Sequence, residues 1–457
     1  MTSDGSLQGL RQRFAGDLVS PDDDDYPDAR RVWNGAINRY PRVVARCTGP
    51  ADVAHAVSFA ADADLPVAVR GGGHGVSGGA VVDDGVVIDL GWMDDVRVDP
   101  DEQVARVSAG ARWGDVDRET QAHGLATPGG VVSDTGVAGL TLGGGFGHLR
   151  RTFGLSCDNV RSMDVVTAEG DLVVASADRN PDLFWALRGG GGNFGVVTSF
   201  EFDLHPVGPE VATCFVWYDG DEATEVLHAF REWADDAPRE ANALPFYAYV
   251  PAVELFPEDA WDDPAVAVLG AWAGDPDEGV DELRDLRTLA DPLADFSDVL
   301  PYREFQRLLD EDYPEGRLYY WKSVALAELT DDVVDLLVER GAAAPSTLST
   351  VDLWHLGGAI REGDGAFPKR DAAYLFNVEA NWDDPRQTEA NVQWVRDTVD
   401  AVRELDAAEG MYVNFAGFGE DAARVAYGES YDRLREVNER YDPEGVFSGH
   451  TPIHSRD

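Results

Sequence analysis

The stretch VRGGGHGVSGG, Val69 to Gly79, sets six glycines around one histidine. Glycine loses more backbone freedom on folding than any other residue, so so dense a run implies something pressing closely on the main chain. Two further stretches share the density: GVAGLTLGGGFG, Gly136 to Gly147, and GGGGNFG, Gly189 to Gly195. Consecutive glycines let backbone N–H groups converge on phosphate oxygens, because no Cβ holds the ligand away. His74 is then either the spectator of a tight turn or the reason for it.

Two familiar phosphate-binding readings fail. Lys322 and Lys369 are the only lysines, and neither adjoins a glycine run, which excludes a P-loop. GGGNFG, Gly190 to Gly195, matches G-x-G-x-x-G, but a helical segment precedes it and an alternating strand follows. The nicotinamide-binding motif needs the opposite order. Any pyrophosphate must therefore be held mainly by backbone amides and dipoles. Cys47, Cys157 and Cys214 are scattered and odd in number, giving neither a disulfide framework nor a zinc site; buried thiols are expected, and no metal.

These loops sit among alternating strands and helices. RVVARC reads as a strand, GPADVAHAVSFAADAD as a helix with Pro50 in its first turn, and LPVAVRGG as a strand running into the first glycine loop. VRVDPDEQVARVSAG and MDVVTAEGDLVVAS read as hairpins turning at Asp99 to Gln103 and at Glu169-Gly170. WGDVDRETQAHG is a short helix closed by Gly124, and PDLFWALRG a helix from Pro181. In VVTSFEFDLHPV, Phe200, Phe202 and Leu204 alternate inward. Beyond Pro209 the texture changes to aromatic strands (CFVWY, LPFYAYV, AVAVLGAWAG, TVDLWHLGG, AYLFNVEANW) between acidic helices. This predicts an antiparallel sheet with helices on one face, an α+β arrangement. The last helix stops at Asp442-Pro443.

With 457 residues, two domains are expected. No apolar run reaches the roughly 20 residues that span a bilayer, and the N-terminus lacks a signal-peptide pattern, so a cytoplasmic protein is expected. Asp and Glu number 85 against 37 Lys and Arg, a formal net charge of -48. That field excludes nucleic acid and anionic membranes as partners. Self-repulsion weakens the fold at low salt and is screened at high salt, where the Debye length falls to about 3 Å near 1 M. Acidic excess with lysine almost absent is similar to proteins of extreme halophiles.

VAVRGGGHGVSGG, GVAGLTLGGGFGHLRRTFGLSCDNV, DLFWALRGGGGNFGVVTSFEF and the C-terminal YVN…YGESYDRLREVNERYDPEGVF together resemble the berberine-bridge-enzyme-like branch of the vanillyl-alcohol-oxidase flavoproteins, from about Pro41 to Pro452. The resemblance implies the FAD-binding domain also found in p-cresol methylhydroxylase. It implies that domain over 35–208, a substrate-binding α+β domain over 209–408, and a C-terminal segment over 409–457 returning to the FAD domain. His74 matches the histidine that such proteins bond to the flavin 8α-methyl carbon. A bare, glycine-flanked imidazole can meet the ring and is nucleophilic when neutral; a turn histidine beside dissociable FAD is the alternative. The second link some members carry, from a cysteine, would fall at Val132 or Ser133, so one covalent bond is expected. Arg70, Gly71, Gly72, Gly73, Gly75, Ser77, Ser133, Asp134, Thr135, Gly136, Gly139, Thr141, Gly144, Asn159, Val197 and Asn414 are implied to line the cofactor. Val137 is implied to gate oxygen or simply to pack.

The resemblance implies hydride transfer from a C–OH centre of a carbohydrate or other secondary alcohol, with oxygen or another acceptor reoxidising the flavin. An amine oxidase of the 6-hydroxynicotine-oxidase kind and a non-catalytic flavin carrier are the alternatives. Tyr412 and Asn414 match the family's Y-x-N pair, and Tyr412 is the leading base. An unperturbed tyrosine pKa near 10 would then have to fall by about three units, roughly 4 kcal/mol. Asp352 alternates with Trp354 and Leu356 while His355 faces away, which makes Asp352 the first carboxylate to share that work, with Glu379 second.

Overall fold

The computed structural model describes residues 7–419, 423–447 and 451–453. Near the N-terminus, strands Asp17–Val19, Val43–Arg46, Val86–Asp89 and Val67–Arg70 lie side by side in that order, the last three parallel. Val43, Val44, Ala45, Val86, Val87 and Ile88 are fully buried, as parallel strands covered on both faces require. Helix Pro50–Asp62 makes the crossover and buries Val53, Ala56, Val57 and Ala60. The strand Val67–Arg70 ends where the first glycine loop begins. Outside the carboxyl end of a parallel strand is where such sheets take ligands.

A second, antiparallel sheet orders its strands Val96–Asp99, Val104–Ser108, Val196–Asp203, Val160–Val166 and Leu172–Ser176. Both expected hairpins are present, and Gly170 takes the positive φ (83°) that its turn demands. Phe200, Phe202 and Leu204 point into the core.

The remaining chain builds a nine-stranded antiparallel sheet whose centre runs Pro264–Trp272, Ala241–Tyr249, Thr350–His355, Tyr374–Trp382, Leu318–Leu326. Helices Ala223–Asp236, Asp331–Ala342 and Thr388–Arg403 bury their apolar sides on one face, packing Leu227, Phe230, Leu337 and Val399 against Tyr320, Val351, Leu353 and Phe376. The other face shares a core with the loop carrying Phe146, Leu149 and Leu155, so the sheet roofs the glycine loops. The alternation read from TVDLWHLGG holds: Trp354 belongs to that inner core, while His355 stacks on Tyr374 on the helix side. Among the described residues no helix is long and apolar enough to cross a membrane.

Candidate active site

Between the glycine loops and the inner face of the large sheet lies a cavity of about 1720 Å³, counting the open solvent at its mouth. Its floor is main chain. The first and second loops cross at Gly72 and Gly136: a Cβ on Gly72 would lie 2.4 Å from the Gly136 nitrogen, and one on Gly136 only 2.2 Å from the Gly72 nitrogen. Any side chain at the crossing would drive the loops apart. Gly75 and Gly139 also line the cavity but have nothing within 4 Å of where a Cβ would stand, so their faces open onto the space itself. The amides of Gly72, Gly73, His74 and Gly75 donate to no acceptor among the described residues. A row of free N–H groups at a cavity edge suits an anion such as a pyrophosphate.

His74 stands where the floor meets the wall. Its Nε2 lies 2.7 Å from Asp134 Oδ1, and its ring stacks on Trp33 with centroids 4.6 Å apart. Trp33 is itself stacked on Tyr319 at 3.8 Å and donates from Nε1 to the Tyr313 carbonyl at 2.9 Å. Burial tends to raise the Asp134 carboxyl, but the His74 contact and the Arg112 guanidinium at 3.3 Å hold it below its ordinary value.

Gly71, Gly72, Gly73, His74, Gly75, Thr135, Gly136, Gly139, Asp352, Tyr412 and Asn414 all line this cavity. Arg70 and Asp134 line a shallower depression behind His74, where Arg70 is paired with Asp89 at 2.6 Å. Six expected liners face elsewhere. Ser133 gives its N–H and Oγ–H to Asp310, at 2.7 and 2.6 Å. Asn159 ties down the Phe153 and Leu155 carbonyls, and Val197 packs in the core beneath the loops. Ser77 and Thr141 are buried off the cavity, and Gly144 backs onto Phe367. These residues support the loops from behind. Val137 likewise is fully buried in the core rather than facing the cavity. Of the two positions where a second link would fall, Val132 lines the wall and Ser133 turns to Asp310, and neither offers a thiol; Cys157 is a buried free cysteine.

The roof supplies the ionisable groups. Asp352 and Glu379 lie on neighbouring strands, where Asp352 pairs with Asn377 and Glu379 with Thr350, so both reach the same face. Tyr313 Oη donates to Glu379 at 2.7 Å, and Asn377 Nδ2 donates to Glu379 at 2.6 Å and, more weakly, to Asp352 at 3.4 Å. Burial pushes Asp352 up to about 6. Burial and then the adjacent Asp352 charge push Glu379 well above the usual carboxylate range. Two buried acids this close retain one proton between them, with Glu379 its holder and Asp352 the one that ionises.

Tyr412 departs from the sequence-based expectation of a depressed pKa. Burial drives its phenol upward, although Asn414 Nδ2 at 2.7 Å and the Gly145 N–H at 3.1 Å both donate to it. With two donors satisfied and no acceptor for its own proton among the described residues, Tyr412 is equipped to donate into the cavity. It is poorly equipped to take a proton. The sequence reading also missed Trp33, Tyr313 and Asn377. Trp33 and its neighbour Asn34 precede the motif-bearing region, and Asn34 fastens the Val76 carbonyl of the first loop to the Tyr319 carbonyl of the sheet. Only its position in RVWNG, beside no periodic element, set that segment apart.

Residues 41–176 match the family described as FAD binding domain, and 411–454 the family described as berberine and berberine like. (R)-6-hydroxynicotine oxidase of Paenarthrobacter nicotinovorans is 31% identical over 94% of this chain and 95% of its own length. FAD-linked oxidoreductase YgaK of Bacillus subtilis is 30% identical over 96% of each. Among solved structures, 6-hydroxy-D-nicotine oxidase from Arthrobacter nicotinovorans superposes with a TM-score of 0.88 at 26% identity, both chains being fully covered. Xylooligosaccharide oxidase from Myceliophthora thermophila, at 24% identity, a TM-score of 0.83 and 98% coverage of each chain, shares the fold. FAD fits the site on physical grounds as well: free loop amides for the pyrophosphate, and open glycine faces along the floor where a flat ring can lie. The chain belongs to the berberine-like family of FAD-linked oxidoreductases.

Proposed function

We propose that the protein oxidises the nitrogen-bearing carbon of a small protonatable amine, with FAD bonded to His74. The observation that carries this reading is the buried Asp352–Glu379 pair, roofing the cavity opposite the glycine loops. Bound FAD supplies the two-electron oxidation by accepting a hydride from that carbon. Asp352, ionised above about pH 6, holds the substrate ammonium and takes its proton, because only the neutral amine gives up hydride readily. Glu379 stays protonated and, with Tyr313 and Asn377, keeps the pair in place. Trp321, Trp354 and Phe415 supply aromatic walls that suit a cation and exclude water. No lysine or arginine lines the cavity among the described residues, which disfavours anionic substrates.

Oxidation of a secondary alcohol, including the carbohydrates favoured from sequence, is the second reading. Tyr412 favours it, since its free O–H can hold the substrate oxygen while Asp352 takes the hydroxyl proton. A polyhydroxylated ligand, however, needs more polar partners than this aromatic end offers. Anaerobic mixing with amine and sugar panels separates the two. Bleaching of the flavin by secondary or tertiary amines is expected; bleaching by sugars alone overturns the amine assignment.

A further inference from the structure

We infer that Asp134 is the positioning residue and proton acceptor for covalent attachment of the flavin, a role that rests on His74 being the attachment point. His74 and Trp33 form a partition, lining the flavin cavity on one side and a shallower surface depression on the other. Asp134 and Arg112 belong to the outer side alone. The carboxylate therefore stands behind the imidazole. Its side chain is 41% exposed, against 12% for His74, so a proton delivered to it has a path to solvent that avoids the flavin site.

Two independent contacts fix the ring. Stacking between His74 and Trp33, within 20° of parallel, sets its plane, and Tyr319 braces Trp33 from beyond at 10°. The 2.7 Å contact to Asp134 then sets its rotation within that plane. Neither atom makes an aligned hydrogen bond in this structure, but a carboxylate can only accept, so the tautomer this contact favours carries the hydrogen on Nε2 and leaves the Nδ1 lone pair free. The backbone around Asp134 is itself pinned: Asp310 holds Ser133, and the Thr135 carbonyl accepts from the Trp113 N–H at 3.0 Å. Arg112 keeps the carboxylate aimed and charged.

The step balances as follows. The Nδ1 lone pair forms a bond to the 8α-methyl carbon, which gives up one hydrogen as a proton to water. The electron pair of that C–H bond stays on the flavin ring. The imidazole, cationic once alkylated, passes its Nε2 proton to Asp134. Dioxygen then takes the two electrons and two protons as hydrogen peroxide, leaving oxidised, histidyl-linked flavin. A fixed carboxylate at Nε2 opposes the charge that builds on the ring during bond formation.

The test uses full-length protein from riboflavin-starved cells, loaded with FAD in air and quenched in acid at intervals. Bound flavin is measured before the quench, and protein-linked flavin by intact mass after it. Wild type should acquire one FAD, on the peptide containing His74. Asp134→Ala should bind FAD to a similar extent but attach it about 10²-fold more slowly or worse, the usual scale for a lost proton acceptor. Asp134→Asn, which still accepts from Nε2–H but cannot take the proton, should fall between the two; it also carries the test if the alanine variant misfolds. Attachment at the wild-type rate in either folded variant overturns the role. Wild-type protein whose flavin is released by acid, or linked elsewhere than His74, overturns the His74 reading itself and the role of Asp134 with it.

Discussion

On the floor of the cavity the chain works with main chain: crossed glycines, free amides and faces stripped of Cβ atoms. On the roof it works with side chains: two carboxyls and two tryptophans borne on three neighbouring strands, with the Tyr412 phenol and Phe415 added from the segment that follows them. The floor reads two features shared by every FAD molecule, its pyrophosphate and its flat ring, so it needs no charge of its own. The roof must discriminate one substrate and move one proton, which backbone groups do poorly. The difference teaches where substitutions should hurt binding and where they should hurt chemistry.

The largest separation is expected from Asp352→Asn. If the roof carries the proton chemistry, the anaerobic rate of flavin reduction falls by about 10²–10⁴-fold while flavin content and spectrum stay as in wild type. A variant that loses its flavin instead would break the division between floor and roof. Gly72→Val attacks the floor. Its Cβ has no place within 2.4 Å of the Gly136 nitrogen, so melting should show a loss of about 1–3 kcal/mol, with flavin loading lost as well. Gly139→Ala sharpens the contrast: with nothing within 4 Å of the new methyl and a helical setting, the fold should hold or gain, yet FAD affinity should drop because the methyl enters the cavity. Calorimetry alongside flavin titration checks both.

A subtler pair of effects concerns pH. Asp352 must be ionised to act, so kcat/KM should rise with pH through an acid limb near 6. Glu379→Leu removes a donor that stabilises the Asp352 anion; a hydrogen bond to a charged group is worth about 1.5–3 kcal/mol, so the limb should move up by roughly 1–2 pH units. Glu379→Gln, which keeps a donor there, should leave the limb nearly in place. For stability the sign reverses. Asp352 binds its proton more tightly folded, near 6, than unfolded, about 3.9, so its contribution is fully present below about pH 4 and is lost as pH rises through 6. Melting curves of wild type and Asp352→Asn across that window check it. The smallest effect per site, spread over the whole surface, is salt: with a net charge of -48, the melting temperature should climb between about 0.1 and 1 M salt as the Debye length shrinks from about 10 to 3 Å.

The floor was the more legible region because its chemistry demands a residue type that is otherwise avoided. Glycine density marked the loops, and strand alternation placed Asp352 and His355 on opposite faces, both from local pattern alone. What local pattern could not supply was depth and pairing. Ser133, Asn159 and Val197 sit in the right segments yet turn toward Asp310, two carbonyls and the core, because only the packed structure decides which side of a loop faces the cavity. The joining of Asp352 to Glu379 depends on strand register across 25 residues and more, and the Trp33–Tyr319 stack on contacts nearly 300 residues apart. The rise in the Tyr412 pKa is a property of burial, which no tripeptide motif encodes.

The most direct test of the account is the intact mass of purified, acid-denatured protein. The account predicts one FAD adduct, carried by the peptide containing His74 and by no other. An unshifted mass with the yellow colour left in the supernatant would contradict it, leaving a floor that holds its flavin by backbone contacts alone.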